Sequence, residues 1–161
     1  ADMENPVTRQ MALLQNAEIV VNNAGTDGTL RGAAGMMGIH AITLELGNPH
    51  TFQKNYILSG LTGIHNLMAY LKMVDNEIEQ AAKPPVICRK SYWIYTDTGG
   101  ILTVQPDVTD FVQANERIAT LRNIFGDMVK EYVAPEDAII IGKSVAPVNQ
   151  TGGRIAHLGI L

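Results

Sequence analysis

The chain has 161 residues, which is enough for one domain of ordinary size or for two small ones. Hydrophobic residues make up 46% of it and charged residues 17%, a composition that is typical of a globular chain and argues against disorder. The net charge is −4, from 12 basic and 16 acidic residues spread along the sequence. No basic stripe is available to neutralise phosphates, which argues against a nucleic acid partner.

The sequence also indicates in which cellular compartment the protein is found. The one cysteine, Cys88, cannot form a disulfide within the chain, which is compatible with a reducing environment. No apolar run is long enough to span a bilayer, and the amino terminus lacks the basic and apolar regions of a signal peptide. We therefore expect a cytoplasmic protein with no membrane partner.

The first half of the chain alternates predicted strands and helices. Residues 18–23 (EIVVNN) form a β-branched run that predicts a buried strand. Thr29 is a good N-cap for a helix that stops at Gly38. Residues 41–46 (AITLEL) are nearly continuously apolar and end at Gly47. This run predicts a strand covered on both faces, as in a parallel or mixed sheet between helices.

A long helix is predicted over residues 52–73. Its apolar residues recur at spacings of four and three and form one stripe: Ile57, Leu61, Ile64, Met68 and Leu71. Residues 74–85 (VDNEIEQAAKPP) are polar and end in two prolines, so we expect a domain boundary in this segment. The predicted domains are an α/β domain over 1–80 and a β domain over 81–161.

The second domain is predicted to consist of short strands, at residues 91–96, 100–104, 117–124, 128–133, 138–142 and 154–158. It contains an internal repeat, because RIATL at 117–121 recurs as RIAHL at 154–158, an offset of 37 positions. Two similar β units, each too small to bury a core alone, would bury one by packing face to face. We therefore expect a small β-barrel or sandwich with pseudo-two-fold symmetry.

Glu45 is the residue that points most clearly to chemistry. A carboxylate inside an apolar strand is costly unless it is paired, protonated or close to a cation. Glu45 also lies at the carboxyl end of its predicted strand, where open α/β sheets place their ligands. From the residues alone, a catalytic role and a structural salt bridge, for example with Arg31, are equally open.

Arg31 lies on the loop and helix that precede the predicted Glu45 strand. An arginine there could bind a substrate carboxylate through two hydrogen bonds. A solvated arginine in the first turn of a helix is the simpler interpretation of the sequence alone. The glycine-rich run at 25–32 (GTDGTLRG) matches neither a P-loop nor a dinucleotide fingerprint, and tight turns explain it.

The four histidines do not form a metal-binding motif. His40 and Glu45 are five positions apart in a predicted extended segment, so their side chains should point to opposite faces. The sequence holds no HxxE, HExxH or paired-cysteine spacing. We therefore predict that this chain supplies no metal ligand.

Residues 28–47 (GTLRGAAGMMGIHAITLELG) resemble the succinylglutamate desuccinylase/aspartoacylase family, in the zinc carboxypeptidase-like clan. In that family a helix containing TLR is followed by a glycine turn and a strand that reads roughly AxTxExG. Residues 63–73 are similar to its long late helix, and residues 91–161 to its carboxyl-terminal β domain, which has biotinyl/lipoyl-like barrel character. The resemblance implies the carboxyl-terminal remnant of a zinc carboxypeptidase-like α/β domain, followed by a small β-barrel.

The resemblance also implies an activity, the hydrolysis of the amide bond of an N-acyl amino acid or diamine by a zinc-dependent enzyme. Glu45 matches the family's catalytic glutamate, a general base and acid, and Arg31 is similar to an arginine that binds the substrate carboxylate. The family's zinc ligands, an HxxE motif and a later histidine, lie upstream of these motifs, and none occurs here. We therefore expect a fragment that is inactive alone. A homo-oligomer is left open.

Two other functions stay open. Residues 125–130 (FGDMVK) lie where biotinyl and lipoyl domains carry their modified lysine, so Lys130 would make the β domain a carrier or binding module. Lys130 lacks the MKM-type surround of a biotin acceptor, which argues against that function. The second alternative is an inactive scaffold whose fold persists for oligomer contacts.

Overall fold

The computed structural model describes residues 1–25 and 28–161 of the chain. They form two compact units, Ala1–Ile87 (unit 1) and Cys88–Leu161 (unit 2), each of which is described by itself. None of the helices in the described ranges has the length and apolar character that a bilayer crossing requires.

The regular secondary structure of unit 1 is mainly helical in its described part. Its elements are α1 (Pro6–Leu13), β1 (Ile19–Val21), α2 (Leu30–Met36) and α3 (Lys54–Tyr70), and the strand β2 (Val86–Cys88) pairs with β1. As predicted, α2 begins after Thr29, whose hydroxyl accepts the Gly32 amide at 3.0 Å. Gly38, at φ +73°, follows the end of α2, where the left-handed region favours glycine.

Small and polar residues hold α3 to the rest of unit 1. The buried residues of α3 are Gly60, Gly63 and Asn66. The Asn66 side-chain amide donates to the carbonyl oxygens of Leu14 and Glu79, both at 3.0 Å, and its oxygen accepts the Glu79 amide at 2.8 Å. Because these bonds satisfy the buried amide, Asn66 fixes α3 to two other segments of the unit.

The strand predicted at residues 41–46 is not formed, since this segment has no regular secondary structure. A strand needs a paired neighbour for its backbone amides and carbonyls, and no neighbour pairs with this segment among the described residues. Its burial still alternates, with Ile42 and Leu44 half-buried and Thr43 and Glu45 exposed. This is the pattern of a segment that packs on one side only.

The apolar stripe of α3 faces outward within unit 1. The long helix itself is confirmed, but four of the five stripe residues are between 47% and 55% exposed: Ile57, Leu61, Ile64 and Leu71. In the described part of unit 1 the buried apolar cluster is small, and it consists of Met3, Ala12 and Val20, with Ala1 packed against them. The bulky apolar residues of this unit therefore do not form its core.

Unit 2 consists of two four-stranded antiparallel sheets, with the orders β3-β10-β8-β5 and β7-β6-β4-β9. The strands are β3 (Lys90–Tyr95), β4 (Gly100–Val104), β5 (Phe111–Val112), β6 (Arg117–Arg122), β7 (Met128–Val133), β8 (Ala138–Lys143), β9 (Val148–Asn149) and β10 (Arg154–Ile160). No closed barrel is found among the described strands, so the barrel expectation is not confirmed. One edge strand of each sheet is two residues long, which is too short to carry hydrogen bonding from one sheet into the other.

The internal repeat is visible in the order of the strands. An offset of 37 positions carries β5 onto β9 and the start of β6 onto the start of β10, and the members of each pair hold the same place in opposite sheets. The corners correspond too: the Asn115 amide donates to Ala134 O at 2.8 Å, and the Gly152 amide to Thr96 O at 2.7 Å. Each sheet contains two strands of each repeat (β3–β6 and β7–β10), and β5 pairs with β8 while β9 pairs with β4.

The core of unit 2 lies between its two sheets. Apolar side chains from both sheets are fully buried in one cluster, the largest being Ile118, Leu121, Ile140, Ile155 and Leu158. Each such side chain contributes about 1.5–3 kcal/mol through its removal from water. Unit 2 therefore has the continuous core that unit 1 lacks in its described part.

We expect the Cys88 thiol to resist alkylation in the folded protein. Cys88 is 0% exposed, and burial raises the pKa of its thiol, so both access and thiolate are limited at neutral pH. Maleimide labelling at pH 7, followed by mass spectrometry, should be slower than in urea-unfolded protein by about a thousandfold or more. Equal labelling rates in the two states would contradict this placement of Cys88.

Candidate functional site

The candidate site in unit 1 begins where β1 ends. Two asparagines follow the strand, and Asn22 Oδ1 accepts the Met3 amide at 2.9 Å. Asn23 Oδ1 accepts two hydrogen bonds, from the Gly25 amide at 2.8 Å and from Arg31 Nη2 at 2.7 Å. The end of the strand therefore connects the first residues of the chain, the following loop and α2. Two positions of that glycine-rich loop, 26 and 27, lie outside the described residues.

Arg31 is half-buried and held by a hydrogen bond. The simplest interpretation of the sequence alone, a solvated arginine, is therefore not what the structure shows. Its Nη2 bonds Asn23, whereas its Nε is buried and has no hydrogen-bond partner among the residues that the structure describes. A Cβ atom at Gly25 would lie 3.4 Å from this Nε, so the glycine leaves room beside the guanidinium. A buried N–H without a partner costs about 1–3 kcal/mol, and a bound carboxylate would satisfy it.

Arg31 is half-buried and carries a planar guanidinium, the group that is well suited to an anionic ligand such as a carboxylate.

Glu45 is exposed, and it makes no hydrogen bond or ion pair with the residues that the structure describes. The expectation of a carboxylate inside a buried strand is therefore wrong for this chain, because nothing described covers the segment 41–46 on its open side. The alternative salt bridge with Arg31 is not formed either, and the two side chains are not brought into contact. The catalytic role of Glu45 stays a prediction.

The backbone on the carboxyl side of Glu45 is nevertheless well fixed. A Cβ on Gly60 would come within 2.6 Å of Leu46 Cδ1, so Leu46 packs directly on α3 at a position that needs glycine. Gly47 has φ +76°, and the Asn48 amide donates to Gln53 Oε1 at 2.6 Å. The Glu45 carboxylate thus projects from a segment that is held immediately after it.

The described residues contain no group of three or more His, Cys, Asp or Glu side chains that could hold a metal ion. His40, His50 and His65 are exposed, and in unit 2 His157 Nε2 lies 2.9 Å from Ser91 Oγ. A zinc site needs three or four converging donors. The side chains described for this chain do not fit such a site by themselves, so zinc ligands would have to come from elsewhere.

Lys130 lies inside strand β7, whereas the turn of the β6–β7 hairpin lies at residues 123–127. Its ammonium group pairs with the Asp97 carboxylate, to which the Tyr132 hydroxyl also donates at 2.8 Å. The Lys130 hydrogen bond and then that of Tyr132 lower the pKa of Asp97, and the same ion pair raises the pKa of Lys130. An amine that is paired in mid-strand is a poor acceptor for a carrier group.

Sequence analysis missed two residues that position the candidates. Asn23 holds the Arg31 guanidinium, and Gly60 admits Leu46 beside Glu45. The signal for Asn23 was available, because two asparagines end the predicted strand at 18–23, and ligands bind at the carboxyl ends of strands in open α/β sheets. Gly60 had no such signal, since a glycine inside a helix has several explanations.

No protein-family model and no curated protein matches the chain, but solved structures do. The product-bound ectoine utilization protein EutE (DoeB) from Ruegeria pomeroyi has a TM-score of 0.89 at 16% identity, over 100% of this chain and 51% of that chain. A succinylglutamate desuccinylase from a Silicibacter species has 0.81 at 19%, over 98% and 50%. The succinylglutamate desuccinylase/aspartoacylase from Rhodobacter sphaeroides has 0.81 at 17%, over 94% and 48%.

These identities establish a shared fold rather than a shared reaction. This chain spans about half the length of each matched structure. The predicted resemblance is confirmed at that level: the chain has the fold of half of a succinylglutamate desuccinylase/aspartoacylase family protein.

Proposed function

We propose that this chain is the carboxyl-terminal part of a deacylase that hydrolyses the amide bond of an N-acyl amino acid or diamine. The observation that carries the proposal is the likeness to a succinylglutamate desuccinylase, with a TM-score of 0.81 over 98% of the chain. The name of that enzyme describes an acylated amino acid, which has both an amide to cleave and carboxylates to recognise.

Arg31 is proposed to bind a substrate carboxylate. Asn23 holds one terminal nitrogen of the guanidinium, which fixes the plane of the group. The buried Nε has no hydrogen-bond partner in the described part of the chain, so this edge of the guanidinium offers a donor from which a carboxylate oxygen can accept. Arginine suits this task because its planar donors match the geometry of a carboxylate.

Glu45 is proposed as the general base and acid. Its exposed carboxylate would take a proton from the attacking water and deliver it to the departing amine. The zinc that the resemblance implies would activate that water and polarise the amide carbonyl when bound. Its ligands are proposed to lie outside this chain, and the roles given above are those of the chain's own side chains.

The proposal is tested with the complete protein, in which this chain is joined to the polypeptide encoded directly upstream of Ala1. Amine release from N-acetyl and N-succinyl amino acids should occur with the complete, metal-loaded protein and not with the 161-residue chain alone. Hydrolysis by the 161-residue chain itself would show that it is not a fragment of the active site. A complete protein that releases no amine from any of these substrates would favour the inactive scaffold.

Replacing Arg31 with lysine in the complete protein should raise KM for an N-acyl amino acid by about 10- to 100-fold and change kcat much less. Lysine keeps the charge but loses the planar pair of donors that a carboxylate needs. Steady-state kinetics measure the effect, and Arg9→Lys on the exposed side of α1 is the matched control. An N-acyl amine without a carboxylate serves as the comparison substrate. If Arg31→Lys raises KM for this substrate by the same factor as for the N-acyl amino acid, Arg31 does not bind the carboxylate.

A further inference from the structure

Unit 1 leaves much apolar surface uncovered. Met36 and Met37 at the end of α2 are 75% and 77% exposed, and Phe52 before α3 is 100% exposed. The α3 stripe is about half exposed, as described above. The exposed residues of the α3 stripe are neighbours on one helix face, and an apolar patch of this kind marks a binding face rather than an ordinary surface.

Unit 1 also buries few apolar residues. Unit 1 has 87 residues, yet its described apolar cluster holds only Met3, Ala12 and Val20, with Ala1 packed against them. A unit of that size normally buries well over half of the surface that its unfolded chain exposes. The residues that could build a larger core are present, but they point outward.

Residues 41–46 add a second kind of open surface. The backbone amides and carbonyls of this segment are not paired with any strand in the described chain, although its apolar residues suit one. An unpaired segment of this kind accepts another strand through main-chain hydrogen bonds. We call residues 41–46 together with the outward stripe of α3 the open face.

The matched structures indicate what covers such a face. This chain aligns over 94–100% of its own length with chains of which it covers only 48–51%. Each of those folds therefore contains further polypeptide of about the same length. A segment without a strand partner beside an uncovered helix is a surface at which an α/β layer can continue.

We propose that the open face binds a polypeptide of about this chain's length, which adds a strand to residues 41–46 and covers the α3 stripe. The occupant is the part that completes the α/β fold, not a second copy of this chain. This inference rests on burial and on the fold likeness, and it holds whether or not the completed protein is a deacylase.

The test uses the polypeptide encoded directly upstream of Ala1 in the same gene, expressed separately and mixed with the 161-residue chain. Sedimentation should show a 1:1 complex. Hydrogen exchange should be fast at the amides of 41–46 in the free chain and strongly slowed in the complex. The amides of β6 in unit 2 should be protected in both states, which makes them an internal reference.

Two variants separate the parts of the face. Replacing both Leu61 and Ile64 with aspartate should weaken binding by about a hundredfold or more, because each places a charge in an apolar interface. Thr43→Pro removes a backbone donor and should weaken binding without touching the helix. Phe125→Asp, on the exposed hairpin tip of unit 2, is the matched control and should leave binding unchanged.

Protection of 41–46 by self-association of the 161-residue chain would overturn the proposal in favour of a second copy. The absence of a complex, or the absence of a suitable upstream polypeptide, would overturn it outright. A complex that forms but does not hydrolyse amides would refute the deacylase function while leaving the open face in place.

Discussion

Replacing Glu45 with glutamine in the complete protein should lower kcat for amide hydrolysis by about 10²- to 10⁴-fold, with KM within about threefold of the original value. Glutamine keeps the size and polarity of the side chain, but it can neither take a proton from water nor deliver one to an amine. Because Glu45 forms no hydrogen bond or ion pair with the described residues, the substitution should not disturb the fold of this chain.

Glu77→Gln is the matched control, since Glu77 is another exposed carboxylate of unit 1 that makes no described contact. Initial rates of amine release for both variants, measured at equal metal content, give the comparison. Equal kcat values for the two variants would show that another group does the proton transfer. An increase in KM with unchanged kcat would assign Glu45 to substrate binding.

Replacing Ile155 with alanine should destabilise unit 2 by about 2–5 kcal/mol, whereas Ile124→Ala should change its stability by less than about 0.5 kcal/mol. Ile155 is 0% exposed in the core between the sheets, and Ile124 is 82% exposed at the hairpin tip. The two substitutions remove the same atoms, so the difference between them measures the burial.

Urea unfolding reports this difference through the fluorescence of Trp93, the only tryptophan of the chain and a residue of β3 in unit 2. The slope of the free energy of unfolding against urea concentration should be the same for both variants. Equal shifts of the two midpoints would mean that the core does not lie between the two sheets.

Local patterns were sufficient to predict most of unit 2. The strand at 128–133 was predicted with the bounds that the structure shows, because its alternation is bounded by turn residues on both sides. The strand predicted at 117–124 ends earlier, at Arg122, since Asn123 Oδ1 accepts the amides of Phe125 and Asp127 and so forms the turn. Apolar character at Ile124 suggested a strand, but side-chain hydrogen bonding decides the conformation there.

The parts that could not be predicted depend on distant partners. The two-residue strands β5 and β9 exist only because β8 and β4 pair with them, and no local signal marks a strand that short. Likewise, burial of residues 41–46 is a property of whatever lies beside them, so the apolar pattern predicted a strand that this chain alone does not form. The exposure of Glu45 follows from that difference.

The site was predictable in residue type but not in contacts. Arg31 was identified through a motif, whereas its hydrogen bond to Asn23 joins residues on opposite sides of a loop and leaves no periodic signal. The proposal for this residue rests on its Nε, which packing leaves without a hydrogen-bond partner among the described residues. The sequence identifies the arginine, but the hydrogen-bond partner of each of its donors depends on how the surrounding residues pack.

The pairing of short strands across the repeats of unit 2 has a consequence for how this unit folds. β5 must find β8, and β9 must find β4, before either sheet reaches its full width. Neither repeat forms a complete sheet by itself, so neither is an autonomous folding module. Contacts between such distant stretches raise the relative contact order, so unit 2 should fold slowly and in a single cooperative step.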